Sequence, residues 1–294
     1  MITDIESATP ALCRLQLGSD LRRLRLAAGL KASQVAKRLL WSPSKLTRLE
    51  TGENASVEPA DVMALCGIYG ADEETRALLM DYAAVTKTRR DWWQSAEYRP
   101  LIKPGFKAFL GLEATASSLH NYEAEFVPGL LQTEAYVRVI HQRAHPGISP
   151  KELDRVVTVR ITRQEVLRRT VDPLKLTAIV NEAVLRRRVG DGALMRGQLT
   201  HIVELAETLP NVRVQVVPFH AGSHAGMNGK FVVLHFPEGA TPRSIVHLEN
   251  MADAWVSRAE GVVARYEEAF TDLQALAPGP LESLTMIKKA IKEH

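Results

Sequence analysis

Residues Leu39–Gly52 read LLWSPSKLTRLETG, and the way this stretch folds decides what the amino-terminal part of the chain is. Ser42 followed by Pro43 starts a helix, because the hydroxyl accepts an otherwise orphaned backbone N–H and proline has none to lose. Leu46 and Leu49 predict the buried side, and Gly52 suits the left-handed residue that stops a helix. Ser44, Lys45 and Arg48 then fall on the outer side, with Thr47 at its flank. The stretch is a short helix with a polar, basic outer face.

Working outward, Gly18 to Lys87 reads as five short helices. Leu17, Leu21, Leu24 and Ala28 recur at three- and four-residue steps and stop at Gly29. Val35, Ala36 and Leu39 give the second apolar face. Glu58–Tyr69 and Asp72–Thr86 supply the fourth and fifth helices, the last with an acidic first turn that complements the helix dipole. A helix over about Ala32–Leu39, a tight turn at Leu40 and Trp41, and a helix from Ser42 have helix-turn-helix spacing. In that arrangement the second helix enters the DNA major groove. Arg48 can then pair bidentately with a guanine edge, and Ser44 can bond several bases. Lys45 suits a phosphate or mixed contact, and Arg38 and Thr47 suit phosphates, which position without specifying. A polar amphipathic helix on any small bundle is the alternative these residues leave open.

Charge adds to this reading. The chain carries a net +3, but the segment Arg14–Glu50 alone carries +7, with Asp20 and Glu50 as its acids. The next fifty residues, Thr51–Pro100, hold nine acidic residues against five basic ones, so the positive charge is concentrated around the helix-turn-helix. That asymmetry makes a polyanion a candidate partner.

Arg25–Gly52, RLAAGLKASQVAKRLLWSPSKLTRLETG, resembles the phage-repressor type (Xre-like) helix-turn-helix family, through Gly29, Leu30, Ala36, Leu46, Leu49, Glu50 and Gly52. The resemblance implies that Glu50 is structural and pairs with Arg25 of helix one. The residues expected to read bases are Ser44, Lys45 and Arg48, with Lys31, Ser33, Arg38, Ser42 and Thr47 on the DNA backbone. The family pattern has Ser/Thr-Gln at the start of helix two, where this chain has Lys31 and Ala32. Ser33 is left to cap a shorter helix, and Lys31 adds phosphate attraction.

Longer-range motifs extend the likeness from about Leu17 to Leu276: Trp92-Trp93, Val127-Pro128-Gly129-Leu130-Leu131-Gln132-Thr133, Arg160-x-x-Arg163-Gln164, Asn181-Glu182-Ala183-x-Leu185 and Val216-x-Pro218-Phe219. Together they resemble the actinobacterial, WhiJ-like class of these regulators, which implies control of differentiation or antibiotic production and a small acidic partner protein.

The expected fold is mainly α with an α+β second domain. A tail at 1–16 precedes a five-helix repressor-like domain at 17–87. A connector at 88–105, with two tryptophans that imply packing, leads to an α+β sensor or dimerisation domain at 106–277 and a tail at 278–294. Within the second domain helices are predicted over Leu112–Glu125, Gln132–Arg143, Ser149–Arg169, Asn181–Arg188, Ala193–Leu209 and about Ser257–Leu276. Strands are predicted over Lys175–Val180, Val212–Val217, Lys230–Phe236 and Arg243–Leu248, giving a small mixed sheet backed by helices.

Gln132 and Thr133, at a proline-glycine turn before a helix, are candidates for an effector or partner site together with Arg160, Arg163 and Gln164 on one side of the following helix. An ordinary helix corner and a solvated arginine face are the alternatives. His220 and His224 lack a third ligand at metal spacing, Cys13 and Cys66 stand as two free thiols, and no metal or cofactor is expected. No serine elbow or phosphate-binding loop is present, so no enzyme activity is expected. No run is long and apolar enough to span a bilayer, and the acidic amino terminus differs from a signal peptide, so a cytoplasmic protein is expected. The expected function is a sequence-specific, homodimeric regulator of transcription on double-stranded DNA, whose second domain senses a small protein or ligand. An antitoxin-like interaction module and an enzyme with a DNA-tethering domain are the competing readings.

Overall fold

The computed structural model describes residues 9–52, 54, 56–88, 91–102, 104–170, 172–238, 240, 242–250 and 254–294. Residues 1–8 of the expected tail, and Glu53, Arg89 and Arg90 of the charge count, lie outside the described residues. The described residues form two units. The first takes in residues up to Ser95 with Lys107–Thr115 and Phe236–Arg243; the second takes in Ala96–Phe106, Ala116–His235 and Ser244–His294. Among the described residues no helix is long and apolar enough to cross a membrane.

The first unit is built on α1 (Pro10–Ala27), α2 (Ala32–Arg38), α3 (Pro43–Glu50), α4 (Pro59–Tyr69) and α5 (Glu73–Thr88). Helix α1 starts well before Leu17, so residues 10–16 are helix and not tail. Thr9 caps it by accepting from the Leu12 N–H at 3.3 Å, and Pro10 holds the first turn. Its start escapes a periodicity reading because Ala11, Cys13, Leu15 and Leu17 are all buried, around more than one side of the helix. Leu17 and Leu21 pack with Val35, Leu46, Leu49, Leu65 and Tyr82 in one core. The two tryptophans of the expected connector meet edge to face at 5.5 Å, and Trp93 is buried, as is the ion pair of Asp91 with Arg14 at 3.3 Å. Both cysteines are buried, and neither forms a disulfide among the described residues.

The second unit is organised by a six-stranded sheet in the order β3-β2-β1-β4-β5-β6. The strands are β1 (Ser118–Glu123), β2 (Lys175–Asn181), β3 (Val212–Val217), β4 (Phe231–His235), β5 (Ser244–Glu249) and β6 (Ala254–Ser257). The first three are mutually parallel and the rest antiparallel, with Leu119 opposite Leu176 on one side and Leu234 on the other. The predicted helix over Leu112–Glu125 is therefore corrected. Helix α6 (Pro104–Thr115) ends before it, and Ser118–Glu123 becomes the middle strand because neighbours on both sides take up its backbone groups. Strand β6, also unpredicted, is a short edge strand just ahead of the helix that begins at Glu260.

The remaining helices are α7 (Glu134–Ala144), α8 (Pro150–Thr162), α9 (Glu182–Arg186), α10 (Gly192–Thr208), α11 (Glu260–Leu276) and α12 (Pro280–Glu293). The capping box of Ser149 and Glu152 opens α8 as predicted, but the helix tightens into a 3-10 turn over Arg163–Leu167 and stops short of Arg169. On one sheet face Tyr122, Ile179, Phe231 and Val246 pack with Phe270 and Leu273 of α11. Helix α12 is no free tail. Ser283, fully buried, accepts from the Val216 N–H at 3.1 Å, and Ile287 is buried beside it, so the helix covers the open edge of β3.

Candidate nucleic-acid interface

The turn between α2 and α3 is closed by the Trp41 N–H on the Ala36 carbonyl at 2.9 Å, with Leu40 at φ 53° and almost fully exposed. A leucine in the left-handed region costs on the order of 1–2 kcal/mol, so the surrounding packing holds this turn against its own preference. Ser42 caps α3 by accepting from the Lys45 N–H at 3.3 Å. Leu46 and Leu49 are buried, and the far end of the helix lies so close to α1 that a Cβ on Gly18 would come within 2.5 Å of the Leu49 carbonyl. Glycine is the residue that permits that approach. Gly52, at φ 67°, then turns the chain away.

An ion pair fixes the helix from behind. Arg25 donates from Nε to Glu50 Oε1 at 2.6 Å and from Nη2 to Oε2 at 2.8 Å, while Nη1 donates to the Leu30 carbonyl at 2.9 Å. Both side chains are more than nine-tenths buried, and the Glu50 hydrogen bond raises Arg25 above its ordinary pKa. One guanidinium thus ties the end of α1, the entry to α2 and the last turn of α3 together, as the family resemblance implies.

The front is exposed and basic. Ser44, Thr47 and Arg48 of α3 are exposed, as are Lys31, Ser33, Arg38 and Ser42. Arg48 makes no ion pair among the described residues. The Ser42 and Ser44 hydroxyls lie 3.1 Å apart, and Thr47 donates to the Pro43 carbonyl at 3.2 Å. Lys45 differs from expectation. Its ammonium sits 2.7 Å from Asp61 of α4 and 3.8 Å over the Trp41 ring, so it braces α3 against its own domain. Base reading by Lys45 requires breaking both contacts. Ser33 does not cap α2 either: Lys31 is the cap residue, and its N–H donates to Gln34 Oε1 at 2.8 Å. Gln34 reaching back thus satisfies the Lys31 N–H, and its own N–H goes to the Lys31 carbonyl at 3.0 Å in place of a side-chain cap.

Residues 16–79 match a family described as a helix-turn-helix domain. Residues 106–289, more than half of the chain, match a second family, described as a domain of unknown function, DUF5753. The chain belongs to the DUF5753 family. No curated protein and no solved structure matches it. The helix-turn-helix match supports DNA binding and transcription regulation, and the DUF5753 match assigns the second domain no activity.

Within the DUF5753 domain, the predicted effector residues assemble a closed corner instead of an open site. Gln132 donates to the Val127 carbonyl at 2.7 Å, and Gln164 donates to the carbonyls of Gln132 at 2.7 Å and Gly129 at 3.2 Å. Gln198 of α10, which sequence reading missed, accepts from the Thr133 N–H at 2.7 Å and donates to the Leu131 carbonyl at 2.7 Å. Thr133 caps α7. All three glutamines are buried, and Arg163 is buried against Gly129. Arg160 and Arg163 stack over Phe106, at 4.3 and 5.3 Å, so neither forms the solvated face that was the alternative. These bonds satisfy backbone groups that a buried loop would otherwise leave orphaned, while Gln132 Oε1 is buried without a hydrogen-bond partner.

Asn181 and Glu182 have a similar task. Asn181 caps α9, and Glu182 pairs with Arg186 and accepts from the Phe219 N–H at 3.0 Å. No group of three or more metal-ligating side chains gathers among the described residues. A cleft of about 580 Å³ opens beyond the carboxyl ends of β1 and β2, against the loop at Pro218–Lys230. Reading Ser118–Glu123 as helix concealed it, because the cleft exists only once β1 lies beside β2.

Proposed function

We propose that the chain is a sequence-specific transcriptional regulator that binds double-stranded DNA as a homodimer and has no catalytic activity of its own. The observation that carries this reading is the exposed face of α3: Ser44 and Arg48 point away from a domain whose Arg25–Glu50 pair holds the helix rigidly behind them. Arg48 reads a guanine edge and Ser44 an adjacent base, while Lys31, Ser33, Arg38, Ser42 and Thr47 contact phosphates. A single helix-turn-helix reads few base pairs, which favours two copies on a two-fold site. The DUF5753 domain then dimerises or receives a signal from a small acidic protein or a ligand. The resemblance to WhiJ-like regulators supports a role in differentiation or antibiotic production, in the cytoplasm.

Titration of operator DNA selected from genomic fragments tests the proposal. The logarithm of affinity falls with the logarithm of salt by about 0.9 for each phosphate neutralised, whereas the apolar protein contact of an antitoxin-like module responds little. A flat salt response defeats the DNA reading. Arg48→Ala lowers the preference for the selected site by about 1–3 kcal/mol and leaves weak nonspecific binding. Unchanged preference against random-sequence competitor removes Arg48 from base reading.

A further inference from the structure

The cleft in the DUF5753 domain has the position and chemistry of a small-molecule site. In sheets with parallel strands the crevice outside the carboxyl ends is where ligands bind, since loops there diverge and leave room. Here β1 is the strand at which pairing changes from parallel, with β2, to antiparallel, with β4. A volume near 580 Å³ falls within the range of about 300–1,000 Å³ common for sites that enclose organic ligands.

Its polar lining is incomplete in a specific way. Glu125 pairs with Arg187 at 2.5 Å and Glu249 with Lys230 at 2.9 Å. Glu123, at the end of β1, makes no ion pair among the described residues, and its Oε2 is buried without a hydrogen-bond partner. Burial pushes its carboxyl up to about 7, against the pull of Lys230 and Arg160. His224 is the second unfilled group. Asn181 Oδ1 accepts from the Ala183 N–H, so it is the Asn181 amide nitrogen that lies 3.4 Å from His224 Nε2. An amide nitrogen only donates, which places the ring proton on Nδ1. That atom too is buried without a partner. The apolar lining is exposed to an unusual degree: Phe126, Phe219 and Met227 are 42, 58 and 70% accessible.

We propose that this cleft binds a small organic amine, its protonated amino group on Glu123, its apolar or aromatic body against Phe126, Phe219 and Met227, and an acceptor atom on His224 Nδ1–H. As the input of a regulator this assignment rests on the reading in the preceding subsection; as a binding site it does not.

The full chain is titrated with tyramine, with tyrosol as the neutral counterpart and 3-(4-hydroxyphenyl)propionate as the anionic one, using calorimetry and the backbone amide shifts of Asn181, Gly222 and His224. Tyramine binds most tightly and moves these amides, tyrosol follows, and the propionate does not bind. Glu123→Gln weakens tyramine by about tenfold to a hundredfold, the loss of one charge-assisted contact, and leaves tyrosol unchanged. The unchanged tyrosol affinity shows that the variant's cleft is intact. Equal affinity for amine and alcohol overturns the assignment, as does a tyramine affinity indifferent to Glu123→Gln or the absence of any shift at the cleft amides. The same preparation is titrated with DNA. DNA binding without tyramine binding sinks the cleft assignment alone, and tyramine binding without DNA binding sinks the regulator reading alone.

Discussion

The helix-turn-helix and DUF5753 domains each bury polar groups to hold a functional or structural loop, and they use opposite chemistry to do it. In the first, a charged pair does the work: Arg25 and Glu50 exchange two short hydrogen bonds and a third reaches Leu30. In the second, uncharged amides do it: Gln132, Gln164 and Gln198 thread the loop at Val127–Thr133. The histidines divide as sharply, because all nine lie at or beyond His120. A charge pair costs desolvation but fixes orientation, which suits a helix that must present Ser44 and Arg48 rigidly. Amides satisfy a buried loop with a smaller desolvation cost, which suits a closed corner.

Acid sharpens the contrast most. Burial holds His120, His141 and His247 down at about 4, against 6.5 for a free imidazole. The unfolded chain takes up these protons first, so the stability they represent is complete above pH 6.5 and is lost as pH falls toward 4. Each contributes up to about 3 kcal/mol, and Glu123, raised in the fold, offsets roughly one of them in the opposite sense. Hydrogen exchange at pH 7 and pH 4, corrected for intrinsic rates, is expected to show the strands losing protection by up to roughly 6 kcal/mol while α1–α5 lose less. Equal loss in both domains breaks the comparison.

Removing one partner of the buried pair comes next in size. Glu50→Ala leaves Arg25 buried and uncompensated, which costs about 3–5 kcal/mol, read as a lower denaturant midpoint for the amino-terminal helices with the sheet unaffected. A loss within a few tenths of a kcal/mol of wild type would show that the pair is ornamental. Gln198→Leu overlaps Glu50→Ala in size, because it strands the Thr133 N–H and the Leu131 carbonyl at about 1–3 kcal/mol for each unsatisfied group. It is measured as faster exchange at Thr133, and unaltered exchange there would show that water replaces the amide.

Much of the amino-terminal domain was legible because its signals are local. Ser42, Pro43, Leu46, Leu49 and Gly52 lie within about three turns of one helix and mark cap, core face and stop directly. The Arg25–Glu50 pair spans more sequence, yet the family pattern carries it. The DUF5753 domain was legible only where an element could be recognised alone, as with the Ser149–Glu152 capping box or the strand at Val212–Val217. Lys45 shows the limit within the readable part: its place on the helix was visible, but its turn toward Asp61 depended on where α4 lies.

The sequence by itself determined the helix-turn-helix, the basic face with Ser44 and Arg48 on it, and the mixed helix-and-strand character of the remainder, since spacing, caps and charge act over a few residues. The tertiary structure alone decided that Ser118–Glu123 is the middle strand, that Gln132, Thr133 and Gln164 bond the backbone and amides of one buried corner, and that Glu123 and His224 share a cleft. Those outcomes depend on hydrogen bonds and burial between residues tens of positions apart. Local preference cannot encode which distant backbone will satisfy a strand or which groups will surround a carboxylate.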